Sequence, residues 1–529
     1  MSDRTRELDR SRQLQALGAG ALELNRIDRL VGYFAPERGL RRAQARVMAK
    51  VLQRTYEGAA LGRRTEGWTT TGASANAEIG PALSRLRARS RDLIRNNSYA
   101  ASAIESLVAN IIGSGIKPRA RTGDDARDQE LDALWLEWSE VCDADGQLNF
   151  AGLQSLALRT TAESGEALVL LRARSPSDGL PIPLQLQVVE PDHIDTAKSL
   201  RVKGGGVVLS GVEFDSNGRR VAYWLFPTHP GESAFVGGSS FVSQRFAAEN
   251  ILHLYRKTRP AQVRGVPWLA AIMLRLRDLD EYADAELWRK KVASCFAAFV
   301  TRPEGAGGAP LGVSSTVTDG KRVDAIEPGI IEYLYNGENV EFAKPPDSGA
   351  YQPYMATELR GVAAGANVTY EQLSGDLSGV NFSSLRHGMQ EFRRWAGAVQ
   401  LHVVGGSFNG PIWRRAMTTA MMAGTVAPGP IGAAWTAQRW PFIEPLKDAQ
   451  ADILLARAGF ESVPQIMQRY GHNSDEQLDE LQAFAAELDS RKLILDTDPR
   501  RTSRAGLTQT KLDLEGGESE PTDPGDEGE

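Results

Sequence analysis

Paired carboxylates are the residues of this chain that come nearest to a metal-dependent active site. Glu190 and Asp192 flank Pro191 at the end of an apolar stretch, and two acidic side chains so placed could hold Mg²⁺ for nuclease chemistry. Such a site also needs a downstream acid-x-Lys motif, which is absent from roughly the next thirty residues. We therefore favour a strand-ending turn with hydrogen-bonded carboxylates over a magnesium site.

Three further catalytic motifs are incomplete. Lys203-Gly204-Gly205-Gly206 has its lysine before the glycines and lacks the hydroxyl residue of a phosphate-binding P-loop. Gly405-Gly406-Ser407-Phe408-Asn409 has asparagine where a serine-hydrolase elbow requires glycine. No histidines form the His-Glu-x-x-His pair of a zinc protease; they are His193, His229, His253, His387, His402 and His472. The sequence therefore predicts no enzyme, no catalytic residue, no metal site and no cofactor.

The size and composition are those of an ordinary multidomain globular protein. The chain has 529 residues, 42% hydrophobic and 24% charged, and a formal net charge of −6, so bulk charge gives no sign of nucleic-acid binding. Its cysteines, Cys142 and Cys295, suit a reducing compartment. No apolar run approaches the ~18 residues of a membrane span, and the charged N-terminus lacks a secretory apolar core. We expect the protein to be made and used in the cytosol.

Two helices separated by a small β insert organise the chain. Apolar residues recur at helical spacing over residues 266–299, opposite a face dense in charge. Asn336-Gly337 lies between the strand-like stretches 330–335 and 338–343, which is the strongest short hairpin signal that a sequence offers. A second helix returns over residues 351–364. This pattern fits a protruding stalk with a β tip or a helical hairpin buried in a larger domain, and both alternatives stay open.

The remaining elements predict an α+β fold. Helices are expected over 81–95, 96–113, 124–144 and 150–163, and strands over 167–171, 184–189, 207–214, 221–226 and 251–255, with a hairpin turn at Asn217-Gly218. Further along we expect a polar loop at 368–385, a helix over 386–402, a break at Gly405 to Gly410 and a helical bundle over 445–489. Residues 65–80 have the composition of a loop, and the acidic end from 514 that of a disordered tail.

A run of arginines marks the helix predicted over 81–95. Arg85, Arg87, Arg89, Arg91 and Arg95 make it the most basic local segment of the chain. A solvated helix face is the plain explanation for such a run. The functional explanation is a contact with nucleic acid or with an acidic neighbouring subunit.

Several short motifs, in this order along the chain, resemble the lambda family of tailed-phage portal proteins. The first are the arginine-rich stretch 87–97 and Asn110-Ile111-Ile112-Gly113-Ser114-Gly115-Ile116-Lys117. Then come Glu163-Ser164-Gly165-Glu166-Ala167, Val189-Glu190-Pro191-Asp192-His193-Ile194-Asp195, the stretch 259–268 that ends in Gly265-Val266-Pro267-Trp268, and the stretch 373–386 with Gly379-Val380-Asn381-Phe382-Ser383-Ser384. Phe382 stands where the family more often has tyrosine. The resemblance covers about residues 55–490.

The resemblance implies a multidomain α+β portal fold with wing, stem, clip and crown, assembling as a ring. Its parts would be a partly flexible N-terminal segment at 1–80, an antiparallel β-rich wing at 81–262, a first stem helix at 263–300, a clip at 301–347, a second stem helix at 348–366, a tunnel loop at 367–386, a wing or helical part at 387–444, a crown at 445–492 and a disordered acidic tail at 493–529.

The family also implies a passage for double-stranded DNA through the ring. Twelve helices side by side at about 10 Å leave a bore of about 28 Å, wide enough for a duplex of about 20 Å. The tunnel candidates are Lys290 and Lys291 on the stem and Asn381, Ser383, Ser384 and Arg386 in or beside the loop. Hydrogen bonding in the core or between subunits is the alternative for each. The candidates for partner docking at the clip are Glu332, Asn336, Gly337 and Glu338.

The partners implied by the family are those of a capsid vertex. They are further copies of the chain in a dodecamer, double-stranded DNA without sequence specificity, the terminase large subunit, the major capsid and scaffold proteins and a head–tail adaptor, with no membrane. The location would be the virion, after assembly in the host cytoplasm. Two other hypotheses are a packaging-associated DNA-processing nuclease, which needs Asp192, and a head–tail adaptor, although adaptors are usually much shorter.

Overall fold

The computed structural model describes most of the chain between residues 70 and 500. The described residues are 66, 70–232, 242–294, 298–301, 316–318, 321–323, 339–342, 351–438, 440, 444–470, 472, 474–495, 498 and 500. The chain divides into two units, Met1–Ser74 and Ala75–Glu529, and every element below belongs to the second. Its helices and antiparallel sheets form the α+β class that the sequence predicts.

The helices predicted before the first sheet are confirmed. They are α1 (Ala75–Asn96), α2 (Ser98–Ile111), α3 (Asp125–Val141) and α4 (Phe150–Ser164), with a short strand β1 (Lys117–Ala120) between α2 and α3. The side-chain oxygens of Asn97, Asp124 and Asn149 accept hydrogen bonds from the first turns of α2, α3 and α4, which satisfies amides that have no partner within the helix. α1 begins at Ala75, inside the stretch that was expected to be a loop.

Two antiparallel sheets contain the strands that the sequence predicts. Glu166–Ala173 (β2) pairs with Leu184–Val189 (β3), and a meander follows: Leu200–Arg201 (β4), Val207–Leu209 (β5), Val212–Phe214 (β6), Arg220–Leu225 (β7) and Gln244–Ala247 (β8). Ile251–Tyr255 (β9) then pairs with the other edge of β2. Asn217-Gly218 lies in the turn between β6 and β7, as predicted.

The single strand predicted over 207–214 is wrong, because the chain reverses in its middle. Ser210 and Gly211 have φ of 47° and 83°, as a type I′ turn requires, so β5 and β6 pair with each other. A Cβ at Gly211 would lie 2.5 Å from Ile194 Cγ2. The turn therefore needs glycine both for its backbone conformation and for space.

Three apolar clusters join these elements. One is aromatic and connects α3 and α4 to later helices through Trp138, Phe150, Phe408 and Trp413. A second joins the two sheets through residues such as Leu168, Val212 and Tyr223. The third joins α2 to the helices described next; its members include Ile104, Leu107, Leu276, Leu279, Leu359, Val362, Phe392 and Ala396. Each buried leucine or phenylalanine contributes about 1.5–3 kcal/mol relative to an exposed one.

The two helices predicted on either side of the insert are confirmed as α5 (Met273–Ser294) and α6 (Tyr351–Ala366), but α5 begins later than predicted. We call them the stalk helices. Trp268 donates its backbone N–H to the carbonyl of Ala162 at 3.0 Å, so the chain docks on α4 before the helix begins. The chain then makes tight turns up to the start of α5. In the last of them, the Ile272 N–H donates to the Leu269 carbonyl at 2.9 Å. At its other end α5 is described as far as Ser294, and the chain is extended at Ala298.

The insert between the stalk helices contains strands Ala298–Thr301 (β10), Thr316–Thr318 (β11), Lys321–Val323 (β12) and Asn339–Phe342 (β13). The strand predicted over 338–343 is therefore confirmed as β13, and it pairs antiparallel with β10. β11 pairs with β12. The predicted hairpin partner at 330–335 lies outside the described residues.

The polar loop predicted over 368–385 is wrong over much of its length. Tyr370–Ser374 (α7) is a short helix whose start is capped by Thr369 and Gln372, and the next helix, Phe382–Val399 (α8), begins before the predicted loop ends. The loop itself is therefore confined to residues 375–381.

The break predicted at Gly405 to Gly410 is also wrong. The chain continues from α8 through a π-helical stretch, Gln400–Asn409, into Gly410–Ala423 (α9). Buried Val403, Val404 and Phe408 hold this stretch against the cores, and packing of this kind outweighs the low helix propensity of glycine. Gly410 donates its N–H to the Gly405 carbonyl, which is the i→i+5 bond of a π-helix.

The last described part of the chain is a strand followed by helices. Ala433–Thr436 (β14) pairs with β1. The helical stretch predicted over 445–489 is confirmed as Pro445–Arg457 (α10), Val463–Arg469 (α11) and Ser474–Arg491 (α12), which we call the C-terminal helices. Among the described residues, no helix combines the length and the hydropathy needed to cross a membrane.

Candidate functional site

The stalk helices approach each other closely at two glycines. A Cβ added at Gly365 would lie 2.3 Å from Ile272 Cγ2, and one at Gly361 would lie 2.2 Å from Arg275 Nη1. Arg275 also pairs through Nε with Glu358 Oε2 at 2.5 Å. The absence of side chains at the glycines therefore lets the two elements meet, and the ion pair lies beside that contact.

Asn97 ties the base of α5 to the first helices of the chain. Its side-chain N–H group lies 2.8 Å from both carboxylate oxygens of Asp280, while its side-chain oxygen caps α2. Asn97 is 3% exposed, so water hardly competes for these hydrogen bonds. Tyr282 stacks on Tyr351 of α6 with ring centroids 5.7 Å apart. The stalk is thus anchored in the main core and held together further along by aromatic contact.

The two lysines predicted to face DNA lie near the end of α5. Lys290 Nζ is 5.3 Å from the ring centroid of Tyr351, and Lys291 Nζ is 5.1 Å from that of Trp288. Such cation–π contacts leave the charge accessible at a surface. Trp288 is 65% exposed. Lys290 therefore lies against α6, whereas Lys291 lies beside an exposed aromatic ring.

The polar candidates after the stalk lie in the first turns of α8. Asn381 caps this helix, since its Oδ1 accepts the backbone N–H of Ser384 at 2.8 Å. Ser383 is exposed, and the Ser384 hydroxyl donates to the Asn381 carbonyl at 2.9 Å. These residues therefore have a local structural role in starting a helix, and their exposure leaves them accessible to a partner.

Arg386, one turn further along α8, binds carboxylates of the C-terminal helices. Its Nη1 lies 3.1 Å from Glu444 Oε2, and its Nη2 lies 2.8 Å from Asp448 Oδ1. Lys447 Nζ pairs with the other oxygen of Glu444 at 2.6 Å. We call these four residues the Arg386 cluster. Arg386, Glu444 and Lys447 line an open cleft of about 380 Å³ together with Ser383, His387 and Gln390. Asp448 is not part of this lining.

Sequence reasoning identified Arg386 but missed its acidic partners. Glu444 and Asp448 lie four residues apart at the start of a helix that begins with Pro445, which places both on one face. That spacing was a usable signal for a paired acceptor. Nothing local in the sequence indicates that this face meets α8, because 58 residues separate Arg386 from Glu444.

The four residues predicted to dock a partner at the clip, Glu332, Asn336, Gly337 and Glu338, lie outside the described residues. The nearest described element is β13, and its pairing with β10 places the two ends of the insert side by side.

The paired carboxylates considered for metal chemistry are brought near a histidine, because ligand atoms of Glu190, Asp192 and His229 all lie within 4.8 Å of one another. However, Arg91 Nη2 lies 2.6 Å from Asp192 and 3.1 Å from Glu190, so a guanidinium already occupies the position between them. His229 Nδ1 accepts the Gly231 N–H at 3.0 Å, which leaves the proton of a neutral ring on Nε2, the nitrogen that faces Glu190.

These contacts favour the strand-ending turn over a metal site. Burial alone would raise the pKa of Asp192, but the hydrogen bond from Arg91 and the positive charge of Arg87 outweigh it and hold that pKa below its ordinary value. A cation would have to displace Arg91 and move the His229 proton. The carboxylates are therefore paired with groups of the protein itself.

A buried charge network links the sheets to the chain just before the stalk. Glu166 is fully buried and accepts hydrogen bonds from Arg87, from Arg264 Nη2 at 2.6 Å, from His253 Nε2 at 2.8 Å and from the Gly265 N–H at 2.8 Å. We call these residues the Glu166 network. Burial would raise the pKa of Glu166, but Arg264, Arg87 and His253 together hold it well below its usual range.

The network corrects the prediction for one arginine of the predicted run. Arg87 is 3% exposed, so it is neither on a solvated face nor available to a partner, and its charge is neutralised within the chain. Burial lowers the pKa of His253 despite its hydrogen bond with Glu166. Arg220 Nη1 lies 3.3 Å from His253 Nδ1, and since arginine can only donate, we assign a neutral ring with its proton on Nε2.

Comparison with known proteins identifies relatives over most of the chain. The sequence model described as "Phage portal protein, lambda family" matches residues 61–400. The probable portal protein of Halomonas phage phiHAP-1 is 29% identical over 453 residues, covering 80% of this chain and 85% of that protein. Portal protein B of Escherichia phage lambda is 23% identical over 387 residues, covering 64% of this chain and 69% of that protein.

Among solved structures, a chain in the neck of a native GTA particle computed with C12 symmetry is similar with a TM-score of 0.42. It is 15% identical, and the match covers 72% of this chain and 93% of that chain.

Proposed function

This chain belongs to the lambda family of phage portal proteins, and we propose that it forms a ring of about twelve copies around a passage for double-stranded DNA. In this proposal the stalk helices surround the passage, and the first turns of α8 lie in or beside it. DNA passes through during packaging and again during ejection.

The observation that carries the proposal is that the C-terminal helices expose large apolar side chains in the single chain. Neither α10 nor α11 has a buried residue. Leu454 is 64% exposed and Phe460 is 79% exposed. Apolar surface of this extent on adjoining elements marks an interaction site rather than a finished fold.

The spacing on α12 indicates what kind of partner would cover it. Ser474, Leu478, Leu481, Ala485 and Leu488 recur at alternating intervals of four and three residues, so they lie along one face of α12, which we call its seam. Ser474 and Leu488 are buried, whereas Leu478 and Leu481 are each 48% exposed. A seam of this kind accepts another helix, and further copies of the same chain supply one at every position of a ring.

The passage should hold DNA weakly and without regard to sequence. Each lysine or arginine that neutralises a phosphate adds affinity through counterion release, so a conduit with many such contacts would stop the DNA from sliding. The net charge of −6 and the internal pairing of Arg386 both agree with a weak grip. Lys290, Lys291, Asn381, Ser383, Ser384 and Arg386 remain the proposed tunnel residues.

The position in the particle would be one vertex of the capsid, within the virion, after assembly in the host cytoplasm. The proposed partners there are the terminase large subunit during packaging, the major capsid and scaffold proteins during assembly, and a head–tail adaptor afterwards. Residues 301–347 would provide the clip that docks the terminase. The role is structural, and we propose no catalytic residue.

Native mass spectrometry of the purified chain, with negative-stain imaging of the same sample, tests the proposal. We expect a closed ring with a central hole and a mass of about twelve subunits. A stable monomer or dimer at micromolar concentration, with no ring even when scaffold protein is present, would overturn it.

A further inference from the structure

The Arg386 cluster contains equal numbers of opposite charges. Arg386 and Lys447 are positive, Glu444 and Asp448 are negative, and each cation lies within 3.1 Å of a carboxylate oxygen. Both carboxylates come from the beginning of α10, and Arg386 comes from α8. From a distance, a phosphate would meet no net charge here.

The cluster is nevertheless accessible from the cleft. The side chain of Arg386 is 36% exposed, that of Lys447 is 70% exposed, and those of Glu444 and Asp448 are 26% and 22% exposed. Ion pairs that solvent reaches in this way are weak, because water and salt compete for both partners. A phosphate that reaches the cleft would therefore compete directly with the two carboxylates for the same N–H donors.

We propose that Glu444 and Asp448 are built-in competitors of the DNA backbone: they occupy the guanidinium of Arg386 and the ammonium of Lys447, and so keep these groups from gripping phosphates. This inference rests on the proposed function, because it requires that the start of α8 faces the passage. Lys447, Glu444 and Asp448 thereby join the residues that set how strongly DNA is held, although none of them was a tunnel candidate from sequence.

The geometry of the cluster explains why two acids are needed. Arginine presents N–H donors in two directions, and here Nη1 is directed to Glu444 while Nη2 is directed to Asp448. Each carboxylate here accepts from one of these nitrogens only, so removing either acid would leave one end of the guanidinium free for a phosphate. Asp448 Oδ2 also accepts the backbone N–H of Glu444 at 3.1 Å, which holds the two acids in a fixed relation to each other.

The test is to neutralise both acids while preserving their shape. Rings of the Glu444→Gln/Asp448→Asn double variant should bind a linear duplex more tightly at low salt than wild-type rings. The logarithmic salt dependence should steepen by about 2 for each subunit whose cluster contacts the duplex, so that the gain from one such subunit falls about tenfold between 50 and 200 mM salt. Fluorescence anisotropy with a labelled duplex of unrelated sequence measures both quantities.

Two further variants isolate the cause. Asp479→Asn/Glu480→Gln removes the same charge from the exposed face of α12, and it should change DNA affinity much less than the cluster variant. Adding Arg386→Ala to the cluster variant should remove about half of the gain in salt dependence, because Lys447 alone is then released. Equal gains in the two double variants would reduce the effect to bulk charge and overturn the inference.

The assembly state separates this inference from the function on which it rests. Native mass spectrometry should show rings for every variant, since the substitutions leave the exposed apolar faces unchanged. If wild-type chains form no ring, the proposed function fails. If all variants form rings and the cluster variant binds DNA no better than wild type, the inference fails while the proposed ring stands.

Discussion

The Glu166 network and the C-terminal helices differ in whether the chain completes their contacts by itself. In the network, one carboxylate with no exposed surface accepts hydrogen bonds from two arginines, a histidine and a backbone amide. In α10 to α12, the ion pairs are partly exposed and several large apolar side chains face outward. The first region is finished within one chain, whereas the second has the surface of an interface.

This difference indicates that one region determines how the single chain folds and the other determines how chains associate. A buried charge costs several kcal/mol unless it is fully paired, so the network commits the sheets and the base of the stalk to one arrangement before any partner binds. Half-exposed leucines cost little in a monomer and contribute when a neighbour covers them. We expect substitutions in the network to act on folding, and substitutions in the C-terminal helices to act on association.

The largest effect should come from neutralising the centre of the network. Glu166→Gln keeps the shape of the side chain but removes the negative charge that pairs with both buried arginines, Arg87 and Arg264, which should cost about 3–5 kcal/mol of unfolding free energy. Urea unfolding followed by tryptophan fluorescence measures this cost. As a control, Glu281→Ala breaks a solvent-exposed pair with Arg277 and should cost about 0.3–0.5 kcal/mol. A loss below about 1 kcal/mol for Glu166→Gln would mean that the network is not a folding determinant.

The next effect should appear in assembly and not in unfolding. Leu478→Ser/Leu481→Ser removes apolar surface from the seam of α12, and each leucine should contribute about 1.5–3 kcal/mol once a neighbouring helix buries it. Sedimentation velocity should show a shift from rings toward monomers at a given concentration. Leu136→Ser removes a leucine that is 68% exposed on α3 and serves as a control. Intact rings of the double variant would show that the seam is not an intersubunit contact.

A smaller effect should distinguish the two kinds of glycine in the helices. Gly365→Ala places a methyl group 2.3 Å from Ile272 Cγ2, and such overpacking costs about 1–3 kcal/mol. Gly397→Ala is the matched change, because its methyl group meets nothing within 4 Å and alanine favours the helix by about 1 kcal/mol. Thermal unfolding should therefore shift in opposite directions for the two variants. A stabilising Gly365→Ala would show that the base of the stalk can relax.

The smallest effect should be a pH dependence of stability to which the network contributes. The pKa of His253 is below its usual value of 6.5, so below pH 6.5 the unfolded chain binds a proton that the folded chain does not. Stability should therefore fall as the pH drops below about 6.5. The lowered pKa of Glu166 adds a further loss below about pH 4.5. Stability that rises on acidification from pH 7 would contradict the neutral state of His253.

Much of the secondary structure could be predicted from the sequence, because it follows from local patterns. Asp124 and Asn149 mark helix starts through their caps, and Asn217-Gly218 marks a hairpin turn. The failures occurred where distant residues decide the outcome. The docking of Trp268 on Ala162 delays α5, and burial of Phe408 carries a helix through glycines that would otherwise end it.

The candidate site was harder to predict for the same reason. The charge and position of Arg386 are visible in the sequence, but its acidic partners lie on another helix. In the sequence, Arg87 cannot be distinguished from the other arginines of the run. Its burial follows from the way α1 packs against α4 and β2. Spacing identifies which residues share a face of one helix, whereas the facing element is set by the tertiary fold.

The π-helical stretch between α8 and α9 has a consequence for how the molecule tolerates insertions and deletions. α8 contributes Phe392 and Ala396 to one core, and α9 contributes Trp413 and Ala416 to another, so the stretch sets the angle between two faces of one continuous rod. Removing a single residue between 400 and 409 would turn α9 by about 100° about its axis. Ile412 and Trp413 would then swing away from their core. The number of residues in this stretch therefore fixes the rotation of α9 about its axis. We expect substitutions in the stretch to be tolerated and changes in its length not to be.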